Sequence, residues 1–292
     1  FLHTGNLNVP ENIRTIIDTL FVKNAKKSLD KLNLRHRHYI KSEKYKGEIH
    51  FSTGSNTARS SSNFYALNNG IATLFEIRGV GIGKTSFKRR INSGLSVGFS
   101  FLKTAYENSI FIFDEIAKAN TYSNVIVLEH QRSIYTDVIK AIDIGSNEMI
   151  DFETTMHSSK DSYAISKRDR PLAYIIKQNN FGFIEKLKDV GIDYVELQKD
   201  TVIYSGGYRV IEFNDNFKVY EKMRMQKVVT SIEYNDNGFS KGDILISMNQ
   251  KRSNLIAELL EPEAPNSYVS FGIINTSLNS QLPIYRIKNL NN

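Results

Sequence analysis

Apolar and polar positions alternate along this chain with periods that mark most of its elements. From Pro10 onward, Ile13, Ile16, Ile17, Leu20, Phe21, Ala25, Leu29 and Leu32 recur three or four apart, the spacing of one helix face. Pro10 suits a first helical turn, and Lys26, Lys27 and Lys31 fall toward the end where cations meet the helix dipole. A second stripe, Phe87, Ile91, Leu95, Gly98, Leu102, Tyr106, Ile110, Phe113 and Ala117, predicts one long helix. Between them Ile71–Ile77 has the length and composition of a buried strand, with Glu76 as its one acid, and a glycine-rich loop follows.

After the long helix the pattern turns to strands. Val125–Leu128 is strand-like, and the polar stretch over 143–170 ends in Lys167-Arg-Asp-Arg170 before Pro171, the signature of a connection. Strand, helix and strand are predicted at Tyr174–Ile176, Phe181–Asp189 and Tyr194–Leu197, then strands at 201–204, 208–213, 227–234 and 243–247. Gly206-Gly207 and Asp236-Asn-Gly238 look like the turns between them, and a helix over Ser253–Leu260 must stop at Glu261-Pro262.

Composition narrows the picture. The 292 residues correspond to about two domains, and 40% hydrophobic with 24% charged is ordinary for a globular chain. A net charge of +7 invites a nucleic-acid partner, but the basic residues are scattered and the one dense run, Lys84–Arg90, reads as a solvated helix start, so none is expected. With no cysteine, disulfides and thiol chemistry are excluded. No apolar run reaches the roughly 20 residues of a membrane span.

Glu76 is the first candidate for chemistry. A carboxylate at the end of a buried strand is half of a structural ion pair, with Arg78 as the candidate partner, or a working acid or base. The loop Gly79-Val-Gly-Ile-Gly-Lys84-Thr85 resembles a phosphate cradle of P-loop nucleotide hydrolases, with Asp114 and Glu115 as its acidic partners. The spacing fails: Arg78 stands where that motif needs its first glycine, and the acids fall on the helical stripe. His36 and His38 are two apart, but Arg35 and Arg37 between and before them would repel a metal ion.

Phe75-Glu76-Ile77-Arg78, followed by a long helix, resembles the strand that carries the catalytic glutamate of zinc carboxypeptidases of the carboxypeptidase A type. Thr57-Ala-Arg-Ser-Ser-Ser-Asn-Phe-Tyr-Ala-Leu-Asn-Asn-Gly70 is similar to the segment leading into it, and Arg170–Tyr174 and Leu259–Pro265 to phrases of the accessory region in large bacterial members. The resemblance implies an α/β fold: the later part of a carboxypeptidase-like mixed sheet with flanking helices over 1–120, a connecting segment over 121–170 and a strand-rich accessory domain over 171–292. It implies hydrolysis of peptide bonds near a free C-terminus, with Glu76 as general acid/base, Arg78 steadying it, and Zn2+ polarising carbonyl and water. Arg59 would hold a substrate carboxylate or simply lie in water, Tyr65 would cap the pocket or pack, and His3 would be a zinc ligand or solvated. None of the six histidines has a glutamate three residues on, so the family's His-x-x-Glu zinc pair is missing. The expectation is therefore a later part of a longer protein, inactive alone, acting on a peptide or protein substrate and secreted or periplasmic. A non-catalytic binding module derived from such an enzyme is the alternative, and a P-loop nucleotide hydrolase a distant third.

Overall fold

The computed structural model describes residues 1–2, 4–77, 79–119, 123–177 and 181–288. The chain divides into two units, residues 1–119 with 130–163, and residues 120–129 with 164–292. Both are mixtures of helix and strand, one with a mixed four-stranded sheet and the other with an antiparallel six-stranded sheet.

In the first unit the stripe after Pro10 forms α1 (Glu11–Ile16), a π-helical stretch (Ile17–Val22) and α2 (Lys23–Asp30) without a break. Ile13, Ile16, Ile17, Phe21, Ala25 and Leu29 are buried as the periodicity predicts, and Leu32 is exposed. A hairpin follows, β1 (Ile40–Tyr45) and β2 (Glu48–Thr53), then α3 (Ser61–Leu67). The second stripe forms a 3-10 stretch (Val80–Ser86), α4 (Phe87–Glu107) and α5 (Ser109–Ala119), so the expected single helix is broken at Asn108. The side chain of Asn108 donates to the carbonyl of Thr104 at 2.9 Å, the kind of local bond that competes with the helical ladder.

The orientation of α4 is the larger departure. Its packed face carries Ser93, Val97, Ser100 and Thr104, whereas Phe87, Ile91, Leu95, Leu102 and Tyr106 are exposed. Small residues form the seam against α2 and the π-helical stretch, where Phe21 and Phe101 meet at 5.2 Å and Asn24 donates to Thr104 at 3.1 Å.

Residues 125–142 and 149–169, expected to hold only a short strand and a polar connection, form β3 (Val125–Ile142) and β4 (Met149–Asp169). The four-stranded order is β1-β2-β4-β3, with β2 and β4 parallel. Ile71–Ile77, expected as an interior strand, is not a strand of this sheet. It makes one isolated antiparallel bridge, Leu2 with Leu74, supported by Thr73 donating to the carbonyl of Leu2 at 3.0 Å. Its apolar side chains are half-buried at best, and Glu76 and Ile77 are exposed, so the run covers other residues without entering a ladder.

The second unit orders β5 (Ala173–Ile176), β6 (Val195–Glu196), β7 (Thr201–Tyr220), β8 (Met223–Phe239), β9 (Ile244–Ser247) and β10 (Gln281–Ile287) as β6-β9-β5-β10-β7-β8. Helices α6 (Phe181–Asp189) and α7 (Ser253–Leu260) fall where the periodicity places them. Alternate residues of β5 go to opposite sides: Tyr174 and Ile176 join the main core with α6 and α7, and Ala173 and Ile175 join a smaller cluster with Phe239 and Tyr285.

Gly206-Gly207 and Asp236–Gly238 are not turns. They lie inside β7 and β8, paired in register, and the chain reverses instead at Glu221 and Lys222, both at positive φ. Gly206 serves close approach: a Cβ there would sit 2.7 Å from both Ile232 Cγ2 and the Tyr234 ring.

One polar network lies in this core. Glu261, wholly buried just past α7, accepts from the phenol of Tyr174 at 2.5 Å and from Arg168 at 2.6 Å, with the buried Arg286 at 3.3 Å. Arg168 also grips both oxygens of Glu263, at 2.8 and 3.0 Å, while Thr230 donates its hydroxyl and backbone N–H to the same carboxylate. Burial opposes ionisation of Glu263, but the Arg168 and Thr230 hydrogen bonds prevail and hold its carboxyl below the usual range.

Candidate functional site

Glu76 is brought to its position by the run before it. Leu74 bridges Leu2, the rings of Phe1 and Phe75 stack at 5.1 Å, and Thr4 donates to the carbonyl of Ala72 at 3.3 Å. The carboxylate then lies on the wall of an open hollow of about 1660 Å³ within the first unit, also lined by the start of α4, the segment over 33–40 and the tip of the β3–β4 hairpin.

The hollow is basic. Arg35, Arg37, Arg89, Arg90 and Lys140, with His36 and His38, face Asp30, Glu76 and Asp137. Arg90 is half-buried with its guanidinium 5.8 Å from the Phe87 ring centre, and its Nε is buried with no hydrogen-bond partner among the described residues. Such a donor is a place where a bound acceptor would be favoured. His36 and His38 are half-buried here: His36 Nε2 is 2.8 Å from Asp30, and Lys26 donates to His38 Nε2 at 3.2 Å. Burial lowers the pKa of Lys26. Both imidazoles thus have protein partners, where the sequence suggested an exposed face.

Arg59 and Tyr65 lie elsewhere in this unit. Arg59 is exposed in the turn before α3, its N–H donating to Thr57 at 3.4 Å, and Tyr65 is exposed on α3; neither lines the hollow. His3 and Arg78 lie outside the described residues. The turn that carries Arg59 is fixed from below by Asn63, which is buried and donates to Ser55, Thr57 and Ser60 at 2.8, 3.0 and 2.9 Å. Asn6 extends this lattice, donating to the carbonyl of Asn56 at 3.0 Å. Asparagines among loop serines are the sequence signal of this lattice.

A further acid, Glu115, and a histidine pair have plain structural partners. Asp114 and Glu115 lie on α5, on a helix as expected; hydrogen bonds from Lys118 and Asn12 hold the Glu115 carboxyl below its ordinary range. No strand leads into Gly79–Thr85, so the context a P-loop requires is absent from the described residues. His50 and His157 are buried with Nδ1 and Nε2 2.9 Å apart, and Glu48 lies 3.4 Å from His50. Among the described residues no three or more histidines and acids are grouped to hold a metal ion, so they do not fit the zinc that the resemblance implies.

No family model and no solved structure matches the chain. Its likeness to curated proteins is to fungal carboxypeptidases. It is 27% identical over 293 residues to Carboxypeptidase 2 of Trichophyton equinum, covering 99% of this chain and 54% of that one, and the same figures hold for Carboxypeptidase 2 of Trichophyton tonsurans. Probable carboxypeptidase 2 of Arthroderma benhamiae is 26% identical over 89% of this chain. The similarity is distant, includes the strand-rich second unit, and spans about half the length of the relatives.

Proposed function

We propose that the chain is part of a carboxypeptidase-like peptide hydrolase and that its basic hollow receives the free C-terminal end of a peptide. The observation that carries this is Glu76 on the wall of a hollow whose cations, Arg90 among them, outnumber its carboxylates. A guanidinium fork suits a terminal carboxylate, since two parallel N–H groups meet two oxygens. Glu76, exposed and adjacent, is the group to take a proton from an attacking water and pass it to the departing amine. The likeness to proteins named Carboxypeptidase 2 supports the reaction class. Zinc would supply carbonyl and water polarisation in such an enzyme, but the described residues hold no ligand set for it.

A second reading of the same hollow is a module that binds peptide ends without cutting them. Calorimetry with a peptide and its C-terminally amidated twin tests the shared part. The free acid should bind and the amide bind about tenfold or more weakly, with Arg90→Ala erasing the difference. Equal affinity for acid and amide sinks both readings. Release of the terminal residue, lost in Glu76→Gln with binding kept, separates the enzyme from the module.

A further inference from the structure

The outward face of α4 and α5 is built like an interior. On α4 the side packed against α2 is narrow and small, Ser93, Ser100 and Thr104 around Val97. The opposite side holds the broad apolar stripe, with Leu95 53%, Leu102 68% and Tyr106 85% exposed. The stripe continues on α5, where Ile110 and Phe113 are 78% and 71% exposed. An amphipathic helix with one partner turns its apolar side toward it; α4 does the reverse, and its broad apolar side is left exposed among the described residues. At 1.5 Å per residue and a helix width of about 10 Å, its 21 residues make a face of about 300 Å² that α5 extends. That is the size of the largest patch an ordinary monomer exposes, which is often an interaction site.

The relatives indicate what belongs there. Nearly the whole of this chain matches about half of each fungal protein, so each carries about as much polypeptide again beside the matched part. We propose that the outward face of α4 and α5 is the seat of that other part of a carboxypeptidase 2-like polypeptide. A face supplied within one polypeptide acts at an effective concentration of about millimolar, which favours it over a second copy of this chain. The proposal rests on the carboxypeptidase reading but fails separately from it.

The test uses the full chain with the polypeptide part, encoded in the same genome, that matches the rest of Carboxypeptidase 2, joined or co-expressed. Amide hydrogen exchange over α4 and α5 is measured with and without it. The expected result is exchange slowed about tenfold or more by that part. The double variant Leu95→Glu/Leu102→Glu should lose the slowing while keeping the melting temperature of the isolated chain, and Asn92→Glu, exposed on the polar flank, should behave as wild type. No slowing, slowing that survives the double variant, or the absence of such a part from the genome overturns the proposal. So does equal protection by self-association or by anionic vesicles without it, which would assign the face to a second copy or to lipid. Protection without peptidase activity keeps the docking and sinks the enzyme; activity without protection does the opposite.

Discussion

The phenol of Tyr174 donates to Glu261 at 2.5 Å, and both side chains are wholly buried. Burial, with the Glu261 charge beside it, pushes the Tyr174 phenol well above its ordinary pKa. This pair, with Arg168 and Arg286, is a buried carboxylate site; Glu76, where the sequence placed one, is exposed. Removing one charge from a buried, balanced network strands the others. Glu261→Gln should therefore cost about 3–5 kcal/mol in urea unfolding, and Tyr174→Phe about 1–3 kcal/mol.

Glu76 should behave in the opposite way. An exposed carboxylate with no packing role changes stability by about 0.5 kcal/mol or less. The melting temperature of Glu76→Gln should match wild type, and a large drop would show a structural pair.

Acid should act through Glu263. Its folded pKa lies below the unfolded value, so its contribution is complete above the ordinary carboxylate range and is lost as pH falls through the folded value. Urea midpoints measured from pH 7 downward should fall in wild type, and Glu263→Gln, less stable at neutral pH, should show a shallower decline.

Gly206→Ala tests the close approach of β7 to β8. The new methyl would press on Ile232 and the Tyr234 ring, and overpacking of this kind costs about 1–3 kcal/mol. An unchanged thermal midpoint would show that the strands part freely.

What was legible in the sequence was periodicity, and what was not was partnership. The stripe from Ile13 to Leu29 gave both a helix and its buried side, because its neighbours α4 and α5 are present. The stripe from Phe87 gave the helices and misled about the side, because small residues such as Ser93 and Ser100 carry no hydrophobic signal yet allow close packing. Ile71–Ile77 was apolar enough for a strand, but an apolar run reports burial and not pairing, and its one ladder contact is Leu2. Glycine pairs mark turns only when nothing lies across from them, as Gly206 shows. Glu76 was found as a candidate, while the cations around it come from segments far apart in the chain and share no motif.

The place of β10 has a consequence for synthesis. Gln281–Ile287 lies between β5 and β7, so it joins the three-strand group β6-β9-β5 to the hairpin β7-β8 and brings Arg286 to Glu261. Until those residues emerge from the ribosome, the earlier strands of the unit lack the strand that joins β6-β9-β5 to β7-β8. Cooperative folding of this unit must wait for translation to pass Ile287, and until then its exposed strand edges at Ala173–Ile176 and Thr201–Tyr220 are the surfaces a chaperone has to cover.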